Sequence, residues 1–178
     1  MKKFFAMIVF SALLVGSVFA EPKNKIGVAL GWPSGINYSR QVSDLIEVDL
    51  VAGFYYMLGP LLDVRVSPLF KIWNGPVGTV NGKFSLGPGF GLSIGSMNYD
   101  YVDVNGHLVY NKTAIGGFNI SLPLRFEFQF NVPFNLYLEA TPIGVATIMY
   151  TEKNYNGNFF RPYWYYYWGA ALGLRYSF

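Results

Sequence analysis

The sequence has no cysteine and a single histidine, His107. Disulfides, thiol catalysis and cysteine metal sites are therefore excluded, and so is the lipid attachment that an exported lipoprotein takes on a cysteine. Charge is also scarce: 13% of the residues are Asp, Glu, Lys or Arg, against about 25% in an ordinary soluble domain. Past the first twenty positions there is no run of about 18 apolar residues, so no membrane-spanning helix is encoded. Yet 52% of the chain is hydrophobic and 19% aromatic. The chain is oily without an oily block, and the apolar residues must be distributed in some other way.

The one apolar block is at the start. Lys2 and Lys3 precede an apolar stretch from Phe4 to Phe19, Val18-Phe19-Ala20 puts small residues where a signal peptidase cuts, and Glu21-Pro22 follows. Residues 1–20 read as a secretory signal and 21–178 as one exported domain. Thirteen Lys and Arg oppose ten Asp and Glu. Two of those lysines belong to the leader, so the remainder is close to neutral. No basic run marks a nucleic-acid surface.

Beyond the leader, apolar residues fall on every second position. In Phe118–Asn131 the series Phe118, Ile120, Leu122, Leu124, Phe126, Phe128, Phe130 alternates with Asn119, Ser121, Pro123, Arg125, Glu127, Gln129. A period of two is a strand. Similar segments begin at Lys25, Ile36, Ile46, Leu62, Lys83, Asn135 and Trp164, which makes eight. Within the segment 135–148, Ala146 and Ile148 are assigned to the apolar face, and in the second segment Arg40 interrupts that face. Short turn signals separate most segments: 32–35, 42–44, 58–61 and 131–134, with a longer Gly-rich turn at 74–82. Two connections, 95–112 and 150–161, are long and read as loops on one end, opposite the short turns. An up-and-down, antiparallel barrel of eight strands satisfies all of this.

Such a barrel is either apolar inside, as in a soluble lipocalin-like carrier, or apolar outside, as in a membrane. The polar face decides. It carries Glu47, Asp49, Asp63, Glu127 and Glu139 against Arg65, Lys71, Lys83, Arg125 and Arg175. Five acids matching five bases is what a narrow interior requires, because buried charges must be paired. The same face holds Gly27, Gly31, Gly87, Gly89, Gly91 and Gly173. Glycine weakens a solvated strand face, whereas in a narrow interior it makes room for long side chains from the opposite wall. Most segments reach the roughly 9–11 residues a membrane strand needs. The expected architecture is a transmembrane barrel with its oily face toward lipid. The run Tyr163–Trp168 supplies an aromatic girdle at the strand end.

These features resemble the small eight-stranded outer-membrane barrels of the outer-membrane protein A and X type, over the whole chain after the leader. The sharpest shared motif is the terminal Leu172, Leu174, Tyr176, Phe178 series at alternate positions, ending on Phe178. In that family such a strand is the signal read by the barrel assembly machinery during insertion. The stretch "GWPSGINY" is also similar to the small barrels of spirochaetes. The resemblance implies a monomer in the bacterial outer membrane, surrounded by outer-membrane lipid, without cofactor or metal. No cell-wall-binding domain of the protein A type follows the last strand.

The function expected is structural or interactive: a rigid scaffold whose loops 95–112 and 150–161 face outward. They would offer Tyr99, Tyr101, His107, Tyr110, Tyr155, Phe159 and Phe160 to an extracellular protein or glycan. Two alternatives stand beside it. Some eight-stranded barrels modify lipid A with a histidine near the outer surface, which here would be His107. A histidine in "DVNGHLVY" also fits a solvated hairpin with Asn105-Gly106 as its turn. The other alternative is the soluble periplasmic lipocalin-like binding barrel.

Overall fold

The computed structural model describes the backbone of residues 24–55, 61–102, 108–154 and 157–178, and the side chains of 24–54, 61–96, 113–149 and 162–178. Among these residues the structure is one antiparallel sheet. Its strands are β1 (Asn24–Gly31), β2 (Ser34–Gln41), β3 (Ile46–Tyr55), β4 (Leu61–Val77), β5 (Val80–Leu86), β6 (Gly89–Val102), β7 (Leu108–Ser121), β8 (Leu124–Gln129), β9 (Phe134–Asn154) and β10 (Gly157–Ser177).

Ten strands make eight staves. β5 and β6 are one stave interrupted at Gly87-Pro88, and β7 and β8 are another interrupted at Leu122-Pro123. Proline has no N–H for the ladder, so a strand breaks there. The two gaps lie side by side and are stitched across: the Gly87 amide donates to the Pro123 carbonyl at 3.3 Å, and the Leu122 amide to the Ile143 carbonyl at 3.0 Å.

The sheet closes on itself, since β10 pairs with β9 on one side and β1 on the other. The first and last described residues meet there: the Asn24 amide donates to the Phe178 carbonyl at 3.0 Å, and the Phe178 amide to the Asn24 carbonyl at 2.9 Å. The registers fix the slant of the ring. Gly27 is level with Asn37, then Val51, Arg65, Gly91, Asn119, Ala146 and Tyr165. Tyr165 stands six residues before Ala171, the partner of Gly31. The circuit therefore returns ten residues beyond its start. Eight staves with a shift of that size stand at roughly 35–45° to the axis and enclose a space that side chains can fill.

Several connections differ from the sequence expectation. The region 74–82 is mostly strand rather than a long turn: β4 runs to Val77 and β5 starts at Val80, leaving only Gly78-Thr79 as the turn, with Gly78 at φ +63°. The segments 95–112 and 150–161 are also mostly strand. β6 and β7 stay paired up to Val102 and Leu108, and β9 and β10 up to Asn154 and Gly157. Backbone pairing continues past the ring because a two-stranded hairpin satisfies most of its own donors and acceptors. The Asn105-Gly106 turn itself lies outside the described residues.

Arg40 is at the rim. It faces Val48 in an unbroken register one position before the end of β2, so no bulge is involved. A bulge does occur in β9, where Thr141 is level with Gly169 but Gly144 with Tyr167. The extra residue reverses which side of β9 faces inward. Ala146 and Ile148 consequently point into the ring, contrary to the assignment by strict alternation. Ile143 is left outside.

Candidate functional site

The interior begins with backbone parity. On β1 to β5, β8, β9 and β10 the inward positions carry polar residues, and the ring's slant brings them to one level. Ten ionisable side chains are buried there: Lys25, Arg65, Lys83, Arg125 and Arg175 with Glu47, Asp49, Asp63, Glu127 and Glu139. Nine of the ten residues assigned to this face from the sequence are present. Lys71 is only half-buried and joins no ion pair among the described residues. Lys25, near the start of the domain, takes its place, so acids and bases still balance at five each.

The bonds form one continuous web. Lys25 Nζ bridges Glu47 Oε2 at 3.0 Å and Glu127 Oε1 at 2.7 Å. Lys83 pairs with the same Glu47 oxygen. Arg175 donates to Glu47 Oε1 at 2.8 Å and to Ser39 Oγ at 2.9 Å, and pairs with Glu127. Arg125 holds both oxygens of Asp49, at 2.8 and 2.7 Å, and reaches Glu139 Oε2 through Nε at 3.0 Å. Arg65 closes the chain on the other Glu139 oxygen. Further along, one oxygen of Asp63 accepts from Ser93 Oγ at 2.6 Å and Asn119 Nδ2 at 2.7 Å. Charge-assisted, partly bidentate bonds of this kind are what let charges leave water.

An aromatic ring sits in the middle. Tyr137 is 1% exposed, and the guanidinium groups of Arg125 and Arg175 lie over its ring, 4.5 Å and 4.8 Å from the centroid. Holding both cations over the ring places the arginines without spending their N–H donors. Ala29 and Ala171 pack beside it. The room comes from glycine: a Cβ on Gly173 would collide with the Tyr137 ring, and one on Gly27 with Arg175 and the backbone of β10. Tyr137 escaped sequence reading because an aromatic among Leu136 and Leu138 looks like one more apolar residue. Its odd register position was the available signal. Lys25 escaped because it stands close to the leader.

The two ends of the interior differ. Toward the β9–β10 hairpin the space is capped by Leu61, Ile115 and Ile148, with Trp32 and Tyr165 against them. Tyr167 is buried just below and donates to Asn119 Oδ1 at 3.3 Å. The aromatic run 163–168 is therefore not a single outward cluster. Trp164, Tyr166 and Trp168 face out, while Tyr165 and Tyr167 face in. Toward the turns at 42–45 and 130–133 the ring opens into a cavity of about 580 Å³, floored by Lys25, Glu47 and Lys83.

The outer face reverses this chemistry. Leu30, Ile36, Phe54, Phe90, Leu92, Ile94, Ile120 and Leu138 stand at least half exposed around the circumference. The terminal series Leu172, Leu174, Tyr176 and Phe178 is part of this band, all outward, with Tyr176 edge-on to Phe134. Of the residues assigned to outer contacts, Tyr99 and Tyr101 lie on β6, Tyr110 on β7, and Phe159 and Phe160 on β10. Their side chains fall outside the described residues, as do His107 and Tyr155 entirely.

Comparison with known proteins gives one structural likeness. The chain is similar to the N-terminal beta-barrel domain of Pseudomonas aeruginosa OprF, at 12% identity and a TM-score of 0.43, over 88% of this chain and 96% of that one. No family model and no curated protein matches the chain.

Proposed function

We propose that this protein is a monomeric outer-membrane barrel, a closed and plugged scaffold that spans the bilayer and holds its β6–β7 and β9–β10 hairpins on the outer side. The observation that carries the reading is the inverted polarity. A soluble ring puts apolar side chains inside and charge outside, and here the ten-member charge web is inside while Leu, Ile, Val, Phe and Trp cover the outside.

Lipid resolves that inversion. Each apolar side chain fully withdrawn from water contributes about 1.5–3 kcal/mol, and a hydrocarbon surround provides this to the whole band at once. A closed antiparallel ring also leaves no free strand edge at membrane depth, which is the condition for strands to cross. The inward charges support a structural role over conduction, because the web and the apolar cap fill the cross-section of an eight-stave ring. A lipocalin-like carrier needs an apolar hollow where this chain has Arg125, Arg175 and Tyr137.

The test is refolding from urea. The protein is expected to acquire β-type circular dichroism only on addition of detergent micelles or lipid vesicles, and then to migrate at different gel positions unheated and heated. A stable monomeric fold in plain aqueous buffer overturns the reading.

A further inference from the structure

The cavity at the turn end has chemistry that the charge web does not use. The web below it is internally neutral, five acids against five bases, so a further cation at its surface is compensated by none of its members; exposed Asp44 also lines the cavity but forms no ion pair with that cation among the described residues. That cation is Lys71, which lines the cavity and whose ammonium makes no hydrogen bond or ion pair among the described residues. Directly opposite on β5 is Ser85, the register partner of Lys71, which puts their Cβ atoms about 4.5–5.5 Å apart. Ser85 is 2% exposed, lines the same cavity, and its hydroxyl has no hydrogen-bond partner. A buried hydroxyl left unpaired is costly.

A third donor, Asn74, lines the same cavity. Asn81 Nδ2 donates to Asn74 Oδ1 at 2.8 Å and to Gln129 Oε1 at 3.2 Å. The carbonyl side of Asn74 is thereby engaged and its NH₂ group remains available to the cavity. One wall of the space thus carries an ammonium, a hydroxyl and an amide that can all donate. The lining is also partly apolar, with Leu45, Phe130 and Val132. A volume of about 580 Å³ lies within the range of small-molecule sites, roughly 300–1,000 Å³.

We infer that this cavity is a binding site for a small organic anion with a single carboxylate or phosphate head, held by Lys71, Ser85 and Asn74. The head replaces the water that otherwise solvates the Lys71 ammonium and gives the Ser85 hydroxyl an acceptor. The apolar part of the lining takes the remainder of the molecule. The occupant enters from the turn end only, because the web closes the floor. The site lies inside the ring, beyond the reach of the lipid-facing surface, and its occupancy does not depend on the scaffold role proposed above.

The probes are sodium acetate and inorganic phosphate. The protein, folded in detergent micelles and ¹⁵N-labelled, is titrated with each at constant ionic strength set with chloride. Saturable shifts of the Lys71, Ser85 and Asn74 signals are expected with at least one of the two, and which one responds identifies the head group. Lys71→Gln is expected to weaken binding about tenfold or more, as the loss of one charge-assisted bond implies, while Lys71→Arg keeps it. Ser85→Ala is a second, smaller change that retains the lysine and weakens binding less. Folding of every variant is verified by heat-dependent gel mobility. Non-saturating shifts with both probes, or equal binding by wild type, Lys71→Gln and Ser85→Ala, overturn the assignment.

Discussion

At the scale of single residues, the interior rests on mutual satisfaction of charges. Glu127 touches Lys25, Lys83 and Arg175 together. Glu127→Gln removes the negative member and leaves three largely buried cations facing a neutral amide. Breaking a buried ion pair by removing one partner costs about 3–5 kcal/mol, and the neutral isostere changes little else. The same exchange at Asp44, exposed in the turn after β2, is expected to stay within about 0.5 kcal/mol. Urea unfolding of both variants in lipid vesicles measures the difference. Equal effects would mean that the web contributes no stability. Individual residues were partly legible in the sequence. The polar face was visible because Arg125, Glu127, Arg175 and their partners alternate with unambiguous hydrophobes. Which pairs form was not, since Arg65 meets Glu139 and Arg125 meets Asp49 across the ring, at separations no local pattern encodes.

At the scale of elements, alternation located every stave but not its ends. Strand pattern stops being diagnostic where both faces are polar and aromatic, as in "GSMNYDYVDVNGHLVYNK". These residues were read as a loop, yet the backbone continues as paired strands through Val102 and Leu108. Bulges were equally invisible: one extra residue near Pro142-Ile143 turns Ile148 inward without altering composition. Among the described residues the projecting part of the β6–β7 hairpin pairs only with itself, since β4 contacts β6 no further than Gly95 and β9 contacts β7 no earlier than Ile115. Deleting residues 98–110, with a two-residue turn joining the stumps, therefore removes no ring contact. The shortened protein is expected to show the same shift in gel mobility on heating and the same urea midpoint within about 0.5 kcal/mol. A variant that no longer folds would give the hairpin a part in closing the ring.

At the scale of the whole molecule, one quantity separates a membrane ring from an aqueous one: the effect of a charge placed on the outside. Leu138 is half exposed on the outer face of β9, between the inward Tyr137 and Glu139, and so sits at the level of the charge web rather than at a rim. If hydrocarbon surrounds that level, Leu138→Arg must bring a guanidinium into it, at a cost of about 2–4 kcal/mol near the midplane. If water surrounds it, the arginine is solvated and the exchange falls within about 0.5 kcal/mol, as for ordinary surface positions. Lost packing alone cannot mimic the first result, because Leu138→Ala sheds more side chain without adding charge. In vesicles, Leu138→Arg is expected to be the more destabilising of the two, and the analogous change at Phe134, beside the turn at 130–133, to cost less because the arginine reaches the interface. A depth-independent effect at the two positions, or an arginine variant as stable as wild type, would place water against the apolar band and reverse the inside and outside assigned to this ring.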